Sequence, residues 1–227
     1  MKQPLKPHAL IVGGNSGLGQ ALGVQLLETH DVTVTGRDEP RTDRFKFCAL
    51  NISESETFYG PEMEKVVFSL PEIDLLVYAT GFFQRGTLAA LDDHAIVEMV
   101  HVGLLGPILL LQKILRKQRI LQGFIAITST SQWTPRAYEP VYTAVKAGLG
   151  MFASSVSQDH RIGKVLVAAP AGMKTNFWSG TNTDTRTMLD PKKVAEEILV
   201  RYYDDFQYKF IKILRDPARV EVVETSY

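Results

Sequence analysis

The chain has 227 residues, with 25 basic and 25 acidic side chains, 45% hydrophobic residues and one cysteine. That length can bury the core of one α/β domain, so a single domain over 1–227 is expected. The balanced charge gives no electrostatic case for nucleic acid or an anionic membrane as partner, and a lone thiol excludes an internal disulfide framework.

In chain order, the opening Met-Lys-Gln-Pro-Leu-Lys-Pro-His8 has no signal-peptide core, so a cytoplasmic location is expected. Ala9-Leu-Ile-Val12 predicts a strand over 8–12. It runs into Gly13-Gly-Asn-Ser-Gly17-Leu-Gly19, after which Leu18, Leu22 and Leu26 recur at helical spacing and predict a helix over 17–28. Strand, glycine turn and helix together seat a dinucleotide pyrophosphate on a helix N-terminus, where free N–H groups and the positive dipole end meet the phosphates. Gly13 permits the tight turn, Gly17 lets backbone approach the phosphates, and Gly19 lets helix and strand pack closely. Asn15, Ser16 and Leu18 belong to the same loop and are counted as cofactor contacts.

A second strand over 32–35 ends at Gly36-Arg37. An NAD site wants a carboxylate at this strand end for the ribose hydroxyls; here glycine takes the slot and a guanidinium follows. A guanidinium fork suits a ribose 2′-phosphate, so NADP is expected in preference to NAD, with Asp38 a complication. A third strand over 45–50 carries Cys48, expected as a buried thiol, and leads to Asn51 and Ile52. A helix over 54–69, a strand over 74–78 and the segment Ala79-Thr80-Gly81 follow.

A helix is predicted over 92–117. Its longest apolar stretch, 102–111, contains Gly and Pro and is too short to cross a bilayer. Strands over 123–128 and 164–168 and helices over 140–160 and 191–204 continue the alternation, with Asp190 as N-cap and Pro191 in the first turn of the last. A seventh strand is placed in 210–214. Alternating strands and helices predict a doubly wound parallel sheet of the Rossmann type, in three layers α/β/α.

The chemistry concentrates in 129–146. Tyr142 and Lys146 stand at i and i+4 of a helix, on one face. A cation beside a phenol favours phenolate and lowers its pKa from about 10, which suits proton exchange with a carbonyl or alcohol. Ser129, thirteen residues before Tyr142 at a strand end, could donate to the same substrate oxygen.

The order Gly-x3-Gly-x-Gly, Ser, Tyr-x3-Lys, with its thirteen-residue Ser–Tyr interval, resembles the short-chain dehydrogenase/reductase family over nearly the whole chain. The resemblance implies hydride transfer between NAD(P) and a carbonyl/alcohol pair. Tyr142 would be the general acid/base, Lys146 would lower its pKa and hold the nicotinamide ribose, and Ser129 would orient the substrate. Tyr78-Ala-Thr-Gly81 occupies the family's Asn-Asn-Ala-Gly position. Pro170-Ala-Gly-Met-Lys-Thr175 resembles the Pro-Gly-x3-Thr segment at the nicotinamide end, which makes Pro170, Gly172, Met173 and Thr175 cofactor contacts. In the family the helix equivalent to the apolar stripe near 108–115 packs against a second subunit, implying a homodimer or homotetramer.

Four departures stand out: Gly103 where the family carries asparagine, Asn51 for aspartate, Ala171 for glycine, and the altered 78–81 segment. Gly103 and the altered 78–81 segment motivate an alternative reading as a cofactor-binding regulatory or scaffold protein. Gly103 and Gly106 in one turn predict an irregular helix with room for a hydrated backbone. His94 and His101, seven apart, are too distant to chelate one ion alone, and no metal is expected. The substrate, a small carbonyl or alcohol compound, is expected to meet Phe82, Phe83, Trp133, Tyr138, Phe177 and Trp178, with 179–187 as a short lid.

Overall fold

Along the central strands nearly every residue is apolar and buried, because both faces of the sheet are covered. Alternate residues therefore serve two different cores. Ala9 and Ile11 of β1 (His8–Val12) pack with α1 (Gly17–Leu26) and the last helix, while Leu10 and Val12 pack with the helices of the opposite face. The computed structural model describes residues 6–40, 42–53 and 61–227.

The remaining strands are β2 (Asp31–Gly36), β3 (Lys46–Ala49), β4 (Leu75–Tyr78), β5 (Leu121–Ile127), β6 (Ile162–Pro170), β7 (Tyr208–Arg215) and β8 (Ala218–Ser226). Their order in the sheet is β3-β2-β1-β4-β5-β6-β7-β8. The first seven run parallel, as expected, and β8 returns antiparallel along β7. The sequence reading stopped at β7 because β8 is a half-exposed edge strand with interspersed charges and no clean alternation. Strand order reverses between β1 and β4, the switch point at which open α/β sheets bind ligands.

One face carries α1 and α6 (Pro191–Tyr202); the other carries α2 (Pro61–Ser69), α4 (Gly106–Lys117) and α5 (Pro140–Val156). Asp190 caps α6 as expected, its carboxylate accepting from Lys192 N at 2.8 Å. Of the helix expected over 54–69, positions 54–60 lie outside the described residues. Cys48, expected as a buried thiol, is half-buried because β3 is the edge strand.

The long helix expected over 92–117 is interrupted. Asp92 caps α3 (Asp93–Val100), which runs into a π turn at His101–Leu105 before α4 begins. The Gly106 amide reaches back five residues to the His101 carbonyl, so the irregular backbone expected at Gly103 is present. By length and composition alone, Asp93–Lys117 is long and apolar enough to cross a membrane, unlike the shorter stretch counted from sequence. Here Leu110, Leu111 and Ile114 are buried against the sheet instead.

Candidate active site

A cleft of about 900 Å³ opens above the carboxyl ends of β1 and β4 and is lined by residues of both motif regions. At its floor, Gly13 adopts φ +80°, and a Cβ there would stand 2.9 Å from the Thr80 backbone. Gly17 opens α1 at φ +54°, a conformation that favours glycine. Ser16 occupies the N-cap without using its side chain as a cap, so no side chain of the loop claims the amides of the first turn. Asn15, Ser16 and Leu18 line the cleft beside them. Gly19 does not line it. It sits behind the wall, where a Cβ would collide with the Gly13 carbonyl, and so fulfils only the packing role expected of it.

At the end of β2 the place of a carboxylate-bearing side chain is taken. A Cβ on Gly36 would stand 2.8 Å from Asn15 Cγ, and Asn15 Nδ2 donates to the Asp38 carbonyl at 3.2 Å. Arg37 and Asp38 both line the cleft. Asn51 and Ile52 line it from the end of β3, and Asn51 Oδ1 accepts from Ser53 N at 3.1 Å and Ser53 Oγ at 2.7 Å. Ala79, Thr80 and Gly81 follow β4 along the floor; the Ala79 amide donates to Val12 O at 2.9 Å.

The opposite end holds Ser129, Tyr142 and Lys146. Ser129 lies two residues beyond the end of β5, and its Oγ accepts from Ser131 N at 3.1 Å while forming a side-chain hydrogen bond with Tyr142. Tyr142 and Lys146 lie on the buried side of α5, at 9% and 3% exposure. Lys146 Nζ donates to Ile127 O at 3.0 Å and stands 5.7 Å from the centroid of the Tyr142 ring. Burial without an anionic partner lowers its pKa from 10.5 to about 8.

The expectation that Lys146 lowers the Tyr142 pKa is corrected. Burial pushes the phenol well above its ordinary value, the Ser129 hydrogen bond works against that, and Glu139 adds to it. Desolvation of a phenolate outweighs a cation that lies over the ring and is itself turned toward a carbonyl. Tyr142 is thus held in its protonated, acid form.

Pro170 at the end of β6, and Gly172, Met173 and Thr175 from the loop after it, line the cleft. That loop is pinned by Ala171 N to Ile213 O at 2.8 Å and Leu189 N to Gly172 O at 3.0 Å. Thr175 reaches across to α1, its Cγ2 3.3 Å from where a Gly17 Cβ would stand.

Of the six aromatic residues expected around the substrate, Phe82, Phe83, Phe177 and Trp178 line the cleft. Phe83 meets Tyr142 edge-on at 5.2 Å and stacks on Phe177 at 5.9 Å. Trp133 instead packs on Phe210 at 5.9 Å under Lys212, and Tyr138 packs under Arg85, neither facing the cleft. Local sequence could not separate these roles, since all six follow strand ends.

Several lining residues had no sequence signal as site residues: Arg85, Glu98, Arg136, Glu139, and Leu214 and Arg215 at the end of β7 with Asp216 after it. Glu139 accepts from Ser131 Oγ at 3.1 Å and pairs with Arg136 at 3.5 Å, beside Tyr142. Gly103 is buried, and a Cβ on it would collide with Val145 Cγ1. The backbone there is irregular as expected, and Val145 fills the space that a side chain at position 103 would need.

Glycine turn, helix N-terminus and buried Tyr–Lys pair in one cleft define a dinucleotide-binding oxidoreductase architecture. The sequence pattern of the short chain dehydrogenase family matches residues 7–186, and the chain belongs to that family. It is 27% identical over 218 residues to the uncharacterized oxidoreductase DltE of Bacillus subtilis, covering 86% of this chain and 82% of the relative. Among solved structures it resembles a short-chain dehydrogenase from Sphingobium yanoikuyae in complex with NADPH, with TM-score 0.76 and 18% identity over 86% of this chain and 84% of that one. It also resembles an alcohol dehydrogenase from Thermococcus sibiricus complexed with 5-hydroxy-NADP, with TM-score 0.79 and 18% identity over 95% and 99% of the two chains.

Proposed function

We propose that the protein is an NADP-dependent carbonyl reductase that interconverts a ketone or aldehyde and its alcohol. The observation that carries this is the meeting of Ser129, Tyr142 and Lys146 in the same cleft as the glycine turn and the open N-terminus of α1. The residues present fit a dinucleotide: Gly13 and Gly17 leave the approach to the phosphates clear, Arg37 would suit a 2′-phosphate, and Lys146 and Thr175 would hold the nicotinamide end. When bound, the reduced cofactor supplies a hydride to the carbonyl carbon.

The chain supplies the rest. Tyr142, kept protonated by burial, gives its proton to the carbonyl oxygen as that oxygen gains charge, and Ser129 donates a hydrogen bond to the same oxygen. Lys146 lies beside the Tyr142 ring, and its pKa of about 8 suits returning a proton near neutral pH. The aromatic group of Phe83, Phe177 and Trp178 favours a substrate with an apolar body. Self-association as a homodimer or homotetramer is part of this reading, and the exposed Val97, Val100 and Met151 on α3 and α5 are available to it.

The test is a panel of ketones and aldehydes followed by NADPH absorbance, with Tyr142→Phe alongside. Loss of nearly all turnover with retained NADPH affinity supports the reading. Cofactor binding without turnover of any carbonyl by the wild type would favour the non-catalytic binding protein instead.

A further inference from the structure

A π turn inserts a residue into a helix and changes which backbone groups can pair. In His101–Leu105 the Gly106 amide donates to the His101 carbonyl. In a regular helix that amide would serve Val102, and in a continued π pattern Val102 would look to residue 107. Residue 107 is proline and has no N–H. The Val102 carbonyl is therefore left without a helical donor in a residue only 5% exposed.

Tyr78, fully buried at the end of β4, supplies the donor: its Oη donates to Val102 O at 2.6 Å. Burial holds the phenol well above its ordinary pKa, which keeps that proton in place. The fit is two-sided, because a Cβ on Gly106 would stand 2.7 Å from Tyr78 Oη and 2.8 Å from Ile52 Cγ2. Both Val102 and Ile52 line the cleft. One residue on, Gly103 receives the side chain of Val145, which immediately precedes Lys146.

We propose that Tyr78 is a positioning residue: by holding the carbonyl that Pro107 strands, it locks the π turn in the register that sets Val102 in the cofactor cleft and seats Val145, and with it Lys146. This rests on the cleft being a dinucleotide site. The turn thus lets Glu98 of α3 and its own Val102 face the cleft while α4 faces the core with Leu110, Leu111 and Ile114.

The experiment is Tyr78→Phe, which removes only the hydroxyl, with NADPH and NADH dissociation constants by fluorescence titration and a pH profile of turnover. The expected result is a roughly tenfold weaker cofactor affinity, the scale of one lost buried hydrogen bond, and a displaced pH profile because Lys146 is reseated. Gly106→Ala presses a methyl group onto the same hydroxyl and gives a second route should Tyr78→Phe fail to fold. The double variant should lose no more than the worse single one, since both break one contact. Lowered melting temperature with affinity and pH profile unchanged, measured well below melting, overturns the role of Tyr78 alone. Failure of the wild type to bind either cofactor overturns the dinucleotide reading and this inference with it.

Discussion

Lys146 should destabilise the very fold that holds it. It is 3% exposed, has no ion-pair partner among the described residues, and donates to a single carbonyl, Ile127 O. A pKa lowered from 10.5 to about 8 means that keeping its charge at pH 7 costs about 3 kcal/mol. Lys146→Met removes the charge while roughly preserving volume, and gives up a hydrogen bond from a charged donor worth about 1.5–3 kcal/mol. The net expectation for the cofactor-free protein is a gain of up to about 1.5 kcal/mol, or up to roughly 3–6 °C in melting temperature for a chain of this size. The pH dependence supplies a second check. The folded pKa is depressed, so this contribution is fully present above the unfolded value of 10.5 and is lost as pH falls through about 8. Wild-type stability should accordingly rise between about pH 8 and 10, before the tyrosines intervene, and the Met variant should lack that rise. Thermal melts at neutral and alkaline pH decide the matter. A Met variant less stable than wild type at pH 7, or one that keeps the alkaline rise, would refute the reasoning, whereas loss of turnover by itself would not bear on it.

Replacing Arg37 with Ala should weaken NADPH binding by about 1.5–3 kcal/mol and leave NADH nearly unaffected; titration with both cofactors checks it, and equal losses would make Arg37 structural. Gly103→Asn should destabilise by about 1–3 kcal/mol, because its side chain would have to enter the space held by Val145; an unchanged or raised melting temperature would show that the site can yield. His8 and His30, 5% and 8% exposed, have pKa values lowered by burial. Their contribution is complete above the unfolded value of 6.5 and is lost as pH falls through the lowered folded values, so melting temperature should drop as pH falls below about 6.5, and His30→Gln should blunt the drop.

Much of this protein is written locally. Alternating apolar runs and helical periodicity placed seven strands and their helices. The glycine turn declared the helix N-terminus at Gly17 because only such residues fit its geometry, and Tyr142 and Lys146 shared a face by helical spacing alone. Even the π turn had a local cause in Gly103, Gly106 and the missing amide of Pro107. What the tertiary structure alone decided concerns neighbours far apart in sequence. Burial, not Lys146, governs the Tyr142 proton. Val145 fills the hollow at Gly103, and Tyr78 finds the stranded Val102 carbonyl from a strand 24 positions away. Trp133 and Tyr138 turn away from the cleft that Phe83 and Phe177 enter, and β8 appears only because β7 offers it an edge. Periodicity and turn chemistry act over a few residues, whereas desolvation, close packing and the rescue of an orphaned backbone group depend on which distant side chains the fold brings within a few ångströms.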